Sequence, residues 1–454
     1  SRVLGPDGTG IQSYTNSVVQ YFAIAAALGT ASYGQREIAM HRDDREALNR
    51  LFWEIELLCA GTTAVCLVFW LGVIGCSKEY APYYAALSMT LIAVAFDISW
   101  FFGGLEEYGL IVLRNMAVKC VGIVLLFLFI RTKNDLLLYV ALTAATGLLG
   151  NISMWGYLKP FVRKPDIRQL KPLRHLKETL VYFIPTIATS VYTILDKTML
   201  GWFTDGDKSQ NGYYEYATGF VNMSKILIMS FNAVMSARMS YLFGAGKLDE
   251  VRERLRGSLD FVLLLAIPIT LGLSGIAAGF VPWFLGDAYL PVIPLMYVCA
   301  PLVLVVGLSD CLGSQILTPA GLRAQSGRAI VGGAVVNFIL NLILIPKFQS
   351  YGAAAASVAA ECFITLLYLR LGKGFVTLPF LWKCIWRRLI AGVCMFISVA
   401  VLGRTLVKLW GYSPAVTFLQ IGAGAVVYGM ILLVLRDPFI WKQVERIIKK
   451  QEYV

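Results

Sequence analysis

The sequence predicts an all-α, polytopic membrane protein of two pseudo-symmetric helical lobes followed by two further transmembrane helices. Three observations carry that prediction. The 454 residues are 57% hydrophobic and only 15% charged, with a mean hydropathy of +0.67, whereas a soluble domain is about 25% charged. Apolar runs of span length, about 20 residues each, recur along the whole chain with short polar connections. The first half of the chain also aligns weakly with the second, and the residues that coincide include the rare charged ones.

About thirteen spans follow from the apolar runs. The first, 11–33, opens on Gln12, Ser13, Tyr14, Thr15, Asn16, Ser17 and Gln20, too polar for its outer half to face acyl chains. Span 51–74 carries Glu54 and Glu56 near its inner end, where basic loops are the expected partners, and span 83–104 carries Asp97. Arg114 stands at the start of span 115–131, which 136–158 follows. Span 179–203 contains the adjacent pair Asp196–Lys197, and 212–236 contains Tyr213, Tyr214, Glu215, Tyr216, Asn222, Ser224 and Lys225. After 257–277 come 291–318 with Asp310, 329–346 preceded by Arg328, and 352–370 with Glu361. Spans 387–408 and 414–435 stand outside the repeat. The division predicted is a first lobe over 1–170, a second over 171–376 and an appendix over 377–454. The opening residues "SRVLGPDGTG" read as a loop between helices, so a further helix is expected to precede them.

The net charge of +12 would suit nucleic acid if it formed a surface. It does not. With the loop holding Arg36 to Arg50 placed in the cytoplasm, about 30 Lys and Arg fall inside and about 8 outside, the positive-inside signature. The chain therefore starts outside and ends inside, in "RIIKKQEYV". Nothing basic and aromatic-interleaved remains for nucleic acid. His41 and His175 sit in basic loops with no metal spacing, and the nine cysteines show no CxxC. Cys76 is expected on the outer side, and Cys384, in "LWKCIWRR", open to the inner side. No phosphate loop, H-E-x-x-H or soluble nucleotide domain is present. No enzyme is expected; energy must come from a gradient or from mass action.

In the repeat, "GIQSYTNSVVQYF" and "SYGQREIA" lie on "GYYEYATGFVNMSKI" and "MSARMSYL" at a constant offset. Gly10 meets Gly212, Tyr14 meets Tyr216 and Arg36 meets Arg238; Asp97 falls near Asp310 and Arg114 near Arg328. Each copy holds an even number of spans, so both insert in the same sense, a parallel repeat about an axis along the membrane normal. Two such bundles leave a cleft.

Charges inside lipid mark the face that avoids lipid, because each costs about 2.5–3.5 kcal/mol at a helix centre. Helix neighbours point about 100° apart, so Asp196 and Lys197 do not face one another and each needs its own partner or water. Lys225 is a second cation of the same lobe. Two cations that their own helices leave unneutralised suggest an anionic visitor; pairing of Lys225 with Asp196 or Glu215 is the alternative. Tyr14, Asn16, Tyr214 and Tyr216 suit a wet lumen passing sugar hydroxyls, although the same groups also serve as bonds between helices. The acids Asp97, Asp196, Asp310 and Glu361 are the candidates for coupling to H+ or Na+; capping or pairing is their plainer use.

These residues also resemble a known family. "RVLGPDGTGIQSYTNSVVQYF", "DISWFFGGLEEYGLIVLRN", "TILDKTMLGW", "VPWFLGDAYLPVIPLM" and "GAVVNFILNLILIPKFQSYGAAAASVAAE" resemble the bacterial polysaccharide flippases, O-antigen type, of the MOP superfamily. The resemblance covers most of the chain. It implies a MATE-like fold of two six-helix lobes with two extra helices, in the bacterial cytoplasmic membrane. It implies alternating-access transfer of an undecaprenyl-pyrophosphate-linked oligosaccharide to the outer leaflet, with membrane lipid and a polysaccharide polymerase machinery as partners and no cofactor. It also implies lumen cations that meet pyrophosphate or acidic sugars. Arg2, Arg36, Arg114 and Lys197 lie in matching motifs, and Lys225, Arg238 and Arg328 occupy comparable positions. An exporter of small cationic molecules is the competing reading and would need acids rather than bases to dominate the lumen.

Overall fold

In the computed structural model, which describes residues 2–165, 167–204 and 206–441, the chain is helical throughout, with no strand among those residues. Ten helical segments among them are long and apolar enough to cross a bilayer. The protein is a polytopic membrane protein. The basic tail "RIIKKQEYV" lies outside the described residues.

The chain forms two compact units, one from Val3 to Gly201 with Asp207–Asn211, the other from Gly212 onward with Trp202–Gly206 and Arg2. In the first unit the expected first span is two helices, α1 (Gly5–Ala27) and α2 (Thr30–Met40). The break is at Leu28 and Gly29, both left-handed, with φ of 47° and 75°. A side chain on Gly29 would also come within 2.7 Å of the Thr179 carbonyl oxygen, so only glycine meets both demands. Helix α3 (Arg45–Cys76) starts where Asp44 accepts the N–H groups of Glu46 and Ala47 at 3.0 and 3.1 Å. The span at 83–104 is likewise divided, into α4 (Ala81–Ala95) and α5 (Ser99–Gly104). At the junction Asp97 accepts from the Ser99 N–H at 3.0 Å and the Ser99 hydroxyl at 2.6 Å, an Asx turn that redirects the chain. Helices α6 (Tyr108–Phe129), α7 (Leu136–Met154) and α8 (Leu176–Phe203) complete the unit.

The first unit has two apolar cores. One, around Val19, Trp70, Tyr84, Leu91 and Val140, binds α1, α3, α4 and α7. The other, around Phe52, Ile55, Trp100, Phe101, Phe102 and Met154, sits at the end where α2 and α5 pack. There the connector before α8 is fastened to α3. Glu54, almost wholly buried, accepts the Lys171 N–H at 2.9 Å, lies 2.9 Å from His175 Nε2 and pairs with Arg174. The Tyr33 hydroxyl holds the other nitrogen of His175 at 2.7 Å. Helix α8, given to the second lobe by the sequence division, packs as far as Gly201 with the first unit. Thr198 bonds Ser17 of α1 at 2.9 Å, and Gly201 leaves the space that the Tyr14 ring fills.

The second unit contains α9 (Ser209–Gly244, from Gly212), α10 (Leu248–Phe284), α11 (Val292–Cys299), α12 (Pro301–Leu312), α13 (Arg323–Leu371), α14 (Leu378–Trp410) and α15 (Pro414–Val434). Helix α13 joins the two expected spans 329–346 and 352–370, and they part at Gln349, whose φ of 50° and ψ of −127° are non-helical. After α12 a π-helical turn runs over Gly313–Leu317. Helices α14 and α15 pack on α10 through small residues: Gly275 and Gly424 both lie against Val399. They are tied at one end by Arg388, 1% exposed, which pairs with Asp437 at 3.2 Å and with Asp260 at 3.2 Å. Cys384 lies one turn from Arg388 and is buried. The expectation that its thiol is open to reagent is therefore corrected: the helix turns that face toward α10, not toward solvent.

Candidate functional site

The first unit has a half-open cavity of about 530 Å³ lined by residues of α1 to α7. Three of the expected site residues meet there: Asn16 of α1, Asp97 at the α4–α5 junction and Arg114 of α6. The same wall carries Gln12, Gln20, Thr90, Asn115, Lys119 and Asn151. The cavity thus offers amides for sugar hydroxyls and two cations, Arg114 and Lys119, against one acid. Arg114 is positioned by a relay: its Nη1 donates to Asn151 Oδ1 at 3.2 Å, and Asn151 Nδ2 donates to the Ala93 carbonyl at 2.7 Å. The Arg114 Nε–H is buried with no acceptor among the described residues. Asp97 has less to offer, since one of its oxygens already holds Ser99 twice.

Five more predicted residues lie in the second unit. Lys225 is half-buried in α9, and Glu361 of α13 is buried. Asp310 accepts from Asn232 Nδ2 at 2.9 Å, and the Asn232 oxygen accepts from Gln315 Nε2 at 3.0 Å. Gln315 is on the π-helical turn, fully buried, and its Oε1 has no partner among the described residues. Tyr214 is buried with its hydroxyl 3.2 Å from Ser357 Oγ, and Tyr216 stands edge-on to Tyr289 at 5.1 Å.

The other predicted cations lie apart from the cavity. Arg2 and Arg238 are exposed, Arg238 lying 5.2 Å from the Tyr241 ring centre. Arg36 is also exposed and donates to the Tyr182 hydroxyl at 3.2 Å. Within α8, Asp196 is buried and Lys197 half-buried, each engaged by neighbours, and the Lys197 carbonyl accepts from Asn211 at 2.7 Å. Tyr14 is buried, with Lys208 Nζ 5.3 Å from its ring centre. Sequence reading passed over Asn115, Lys119 and Asn151. The first two follow Arg114 directly in "RNMAVK", and that run of polar groups inside an apolar span is the signal that marks them.

Comparison with known proteins places this architecture. The family model described as "Polysaccharide biosynthesis protein" matches residues 1–241. The chain is 21% identical over 382 residues to a putative O-antigen transporter of Escherichia coli (strain K12), covering 81% of this chain and 89% of that protein. It is 30% identical over 256 residues to the probable flippase AglR of Haloferax volcanii, covering 55% and 51%. Among solved structures it is similar to the lipid II flippase MurJ in an inward closed conformation, with a TM-score of 0.66, 14% identity and coverage of 95% and 94%. It is also similar to an inward-facing multidrug resistance MATE family transporter of the MOP superfamily, with a TM-score of 0.67, 13% identity and coverage of 82% and 91%. Likeness at such identities speaks for the fold alone, and the fold is MATE-like. Matched over more than half its length, the chain belongs to the polysaccharide biosynthesis protein family.

Proposed function

We propose that this protein is a flippase of surface-polysaccharide biosynthesis. It moves an undecaprenyl-pyrophosphate-linked oligosaccharide across the cytoplasmic membrane by alternating access and does no chemistry on it. The observation that carries the reading is the first-unit cavity, where Arg114 and Lys119 stand among amide side chains. Guanidinium and ammonium groups suit phosphate or uronate oxygens, and amides suit sugar hydroxyls on either side of a hydrogen bond. The O-antigen transporter and flippase relatives agree with a glycan cargo. An exporter of small cations would want the opposite sign of charge, and Asp97 alone does not provide it.

In this reading Arg114 binds the anionic head first, and Lys197, Lys225 and the exposed Arg2, Arg36 and Arg238 act along the route. Asn16, Tyr14, Tyr214 and Tyr216 serve sugar contacts or the walls beside them. Energy comes from H+ or Na+ through the acids: Asp97 and Asp196 in the first unit, Asp310 and Glu361 in the second. The test is transfer of a fluorescent, lipid-linked oligosaccharide in proteoliposomes, read by protection from a membrane-impermeant quencher. Movement of the pyrophosphate-linked glycan, but not of the same lipid without sugar, is the expected result. Equal rates with empty liposomes would sink the proposal.

A further inference from the structure

The segment between α7 and α8 carries a charge that the site description leaves unused. Pro160, Pro165 and Pro172 keep it out of a long helix, and it begins where the apolar span of α7 ends, at Tyr157. Its described residues from 158 to 175 include Lys159, Arg163, Lys164, Arg168, Lys171 and Arg174 and no acid; Asp166 lies outside them. The main chain of this connector is fastened to successive turns of α3. The Arg163 N–H donates to Asn49 Oδ1 at 2.7 Å, the Arg163 carbonyl accepts from Trp53 Nε1 at 2.9 Å, and the Lys171 N–H donates to Glu54 at 2.9 Å. Because these bonds use backbone groups, the side chains of Arg163 and Lys171 stay exposed, as do those of Lys159 and Lys164. Arg174 is taken by Glu54, but among the described residues no acid pairs with the other four. Beside them Leu173 is 74% and Tyr157 49% exposed. Cations mixed with exposed apolar side chains at the end of a span are the pattern of a segment lying in the bilayer interface.

We propose that the α7–α8 connector is a headgroup site for anionic phospholipid in the leaflet at its end of the protein. Lys159, Arg163, Lys164 and Lys171 take the phosphate oxygens, and Tyr157 and Leu173 meet the upper part of the acyl chains. Contact between membrane helices and acyl chains is general and blind to the headgroup; this site reads the headgroup, because its cations are exposed and held by an anchored backbone. Anchoring also means that little chain freedom is lost when the lipid binds. A soluble acidic partner would use the cations but leave Leu173 and Tyr157 in water, which favours lipid. The lipid is distinct from the cargo proposed above, since no connector residue lines the first-unit cavity, and the inference does not depend on that cargo. A lipid that joins Arg163 to Lys171 also steadies the connector on α3, because a ligand bound only by the folded form stabilises it.

The full-length protein, stripped of lipid in a neutral detergent, tests this by native mass spectrometry with phosphatidylglycerol or phosphatidylcholine of the same short chain length. Each cation near an anionic lipid surface raises affinity about fivefold, so phosphatidylglycerol should bind at least about tenfold more tightly. Arg163→Gln with Lys164→Gln and Lys171→Gln should bring the two lipids level; Lys164→Glu alone, at least about fivefold weaker for phosphatidylglycerol, serves if the triple variant does not fold. Arg114→Gln in the cavity, and Arg252→Gln with Arg254→Gln on the second unit, should keep the preference. Soluble glycerol phosphate at the same concentration should not displace the lipid, and Leu173→Asn should weaken its binding. Equal binding of the two lipids by the wild type, or a preference that survives the connector variants, overturns the site. Loss of the preference in Arg114→Gln would move the lipid to the cavity, and displacement by glycerol phosphate would make the ligand a free phosphate; either result overturns the proposal as well.

Discussion

Arg114 donates to Asn151 at 3.2 Å while its own Nε–H stays buried without an acceptor among the described residues. The arginine is thus oriented by one bond and lines the first-unit cavity. A hydrogen bond to a charged group contributes about 1.5–3 kcal/mol, so Arg114→Gln should lower glycan transfer by at least about tenfold at normal membrane abundance. Arg114→Lys should retain part of it, because the charge survives but the planar fork does not. Full transfer by Arg114→Gln would remove the cavity from the cargo route.

Lys197 offers a second test of the cation reading. Lys197→Arg should keep much of the export of surface polysaccharide in a flippase-deleted host, and Lys197→Gln should lose most of it without loss of protein. If Lys197 serves only to neutralise a buried acid, adding Asp196→Asn to Lys197→Gln would restore export, because the harm then lies in a stranded ion. Rescue of that kind would take Lys197 out of the cargo path.

Arg388 is predicted to matter for stability rather than for cargo. It is buried between Asp437 and Asp260, joining α14 to α10 and to the turn after α15. Arg388→Met strands two acids, and breaking such a buried pair costs about 3–5 kcal/mol. Thermal unfolding in detergent should shift down by several degrees, while Arg388→Met with Asp437→Asn and Asp260→Asn should recover most of the loss. An unshifted transition in the single variant would show that the C-terminal helices do not depend on this tie.

Topology is open to a chemical check. Cys76 is exposed at the end of α3, so an impermeant maleimide added to intact cells should label it if the positive-inside reading holds. Cys384 should stay unlabelled from either side until the protein is denatured, because its thiol is buried. Labelling of Cys76 only in inverted vesicles would reverse the topology.

The sequence by itself determined the class and its broad plan. Apolar runs of fixed length leave a chain no alternative to membrane helices. It also picked out the rare polar residues, and Asn16, Asp97 and Arg114 proved to share a cavity. What it left open is which of those residues face one another. Asp310 is held by Asn232, 78 residues away along the chain, and helical periodicity says nothing about a neighbour on another helix. Asn151 joins Arg114 because α6 and α7 pack side by side. Glu54 and Glu56 look alike in sequence, two residues apart on one helix, yet a turn of about 200° between them separates their fates. Glu54 meets Arg174, His175 and the Lys171 N–H; Glu56 is buried without such an ion pair among the described residues. Burial and pairing of a charge depend on what surrounds it in three dimensions, and tertiary packing alone decided that.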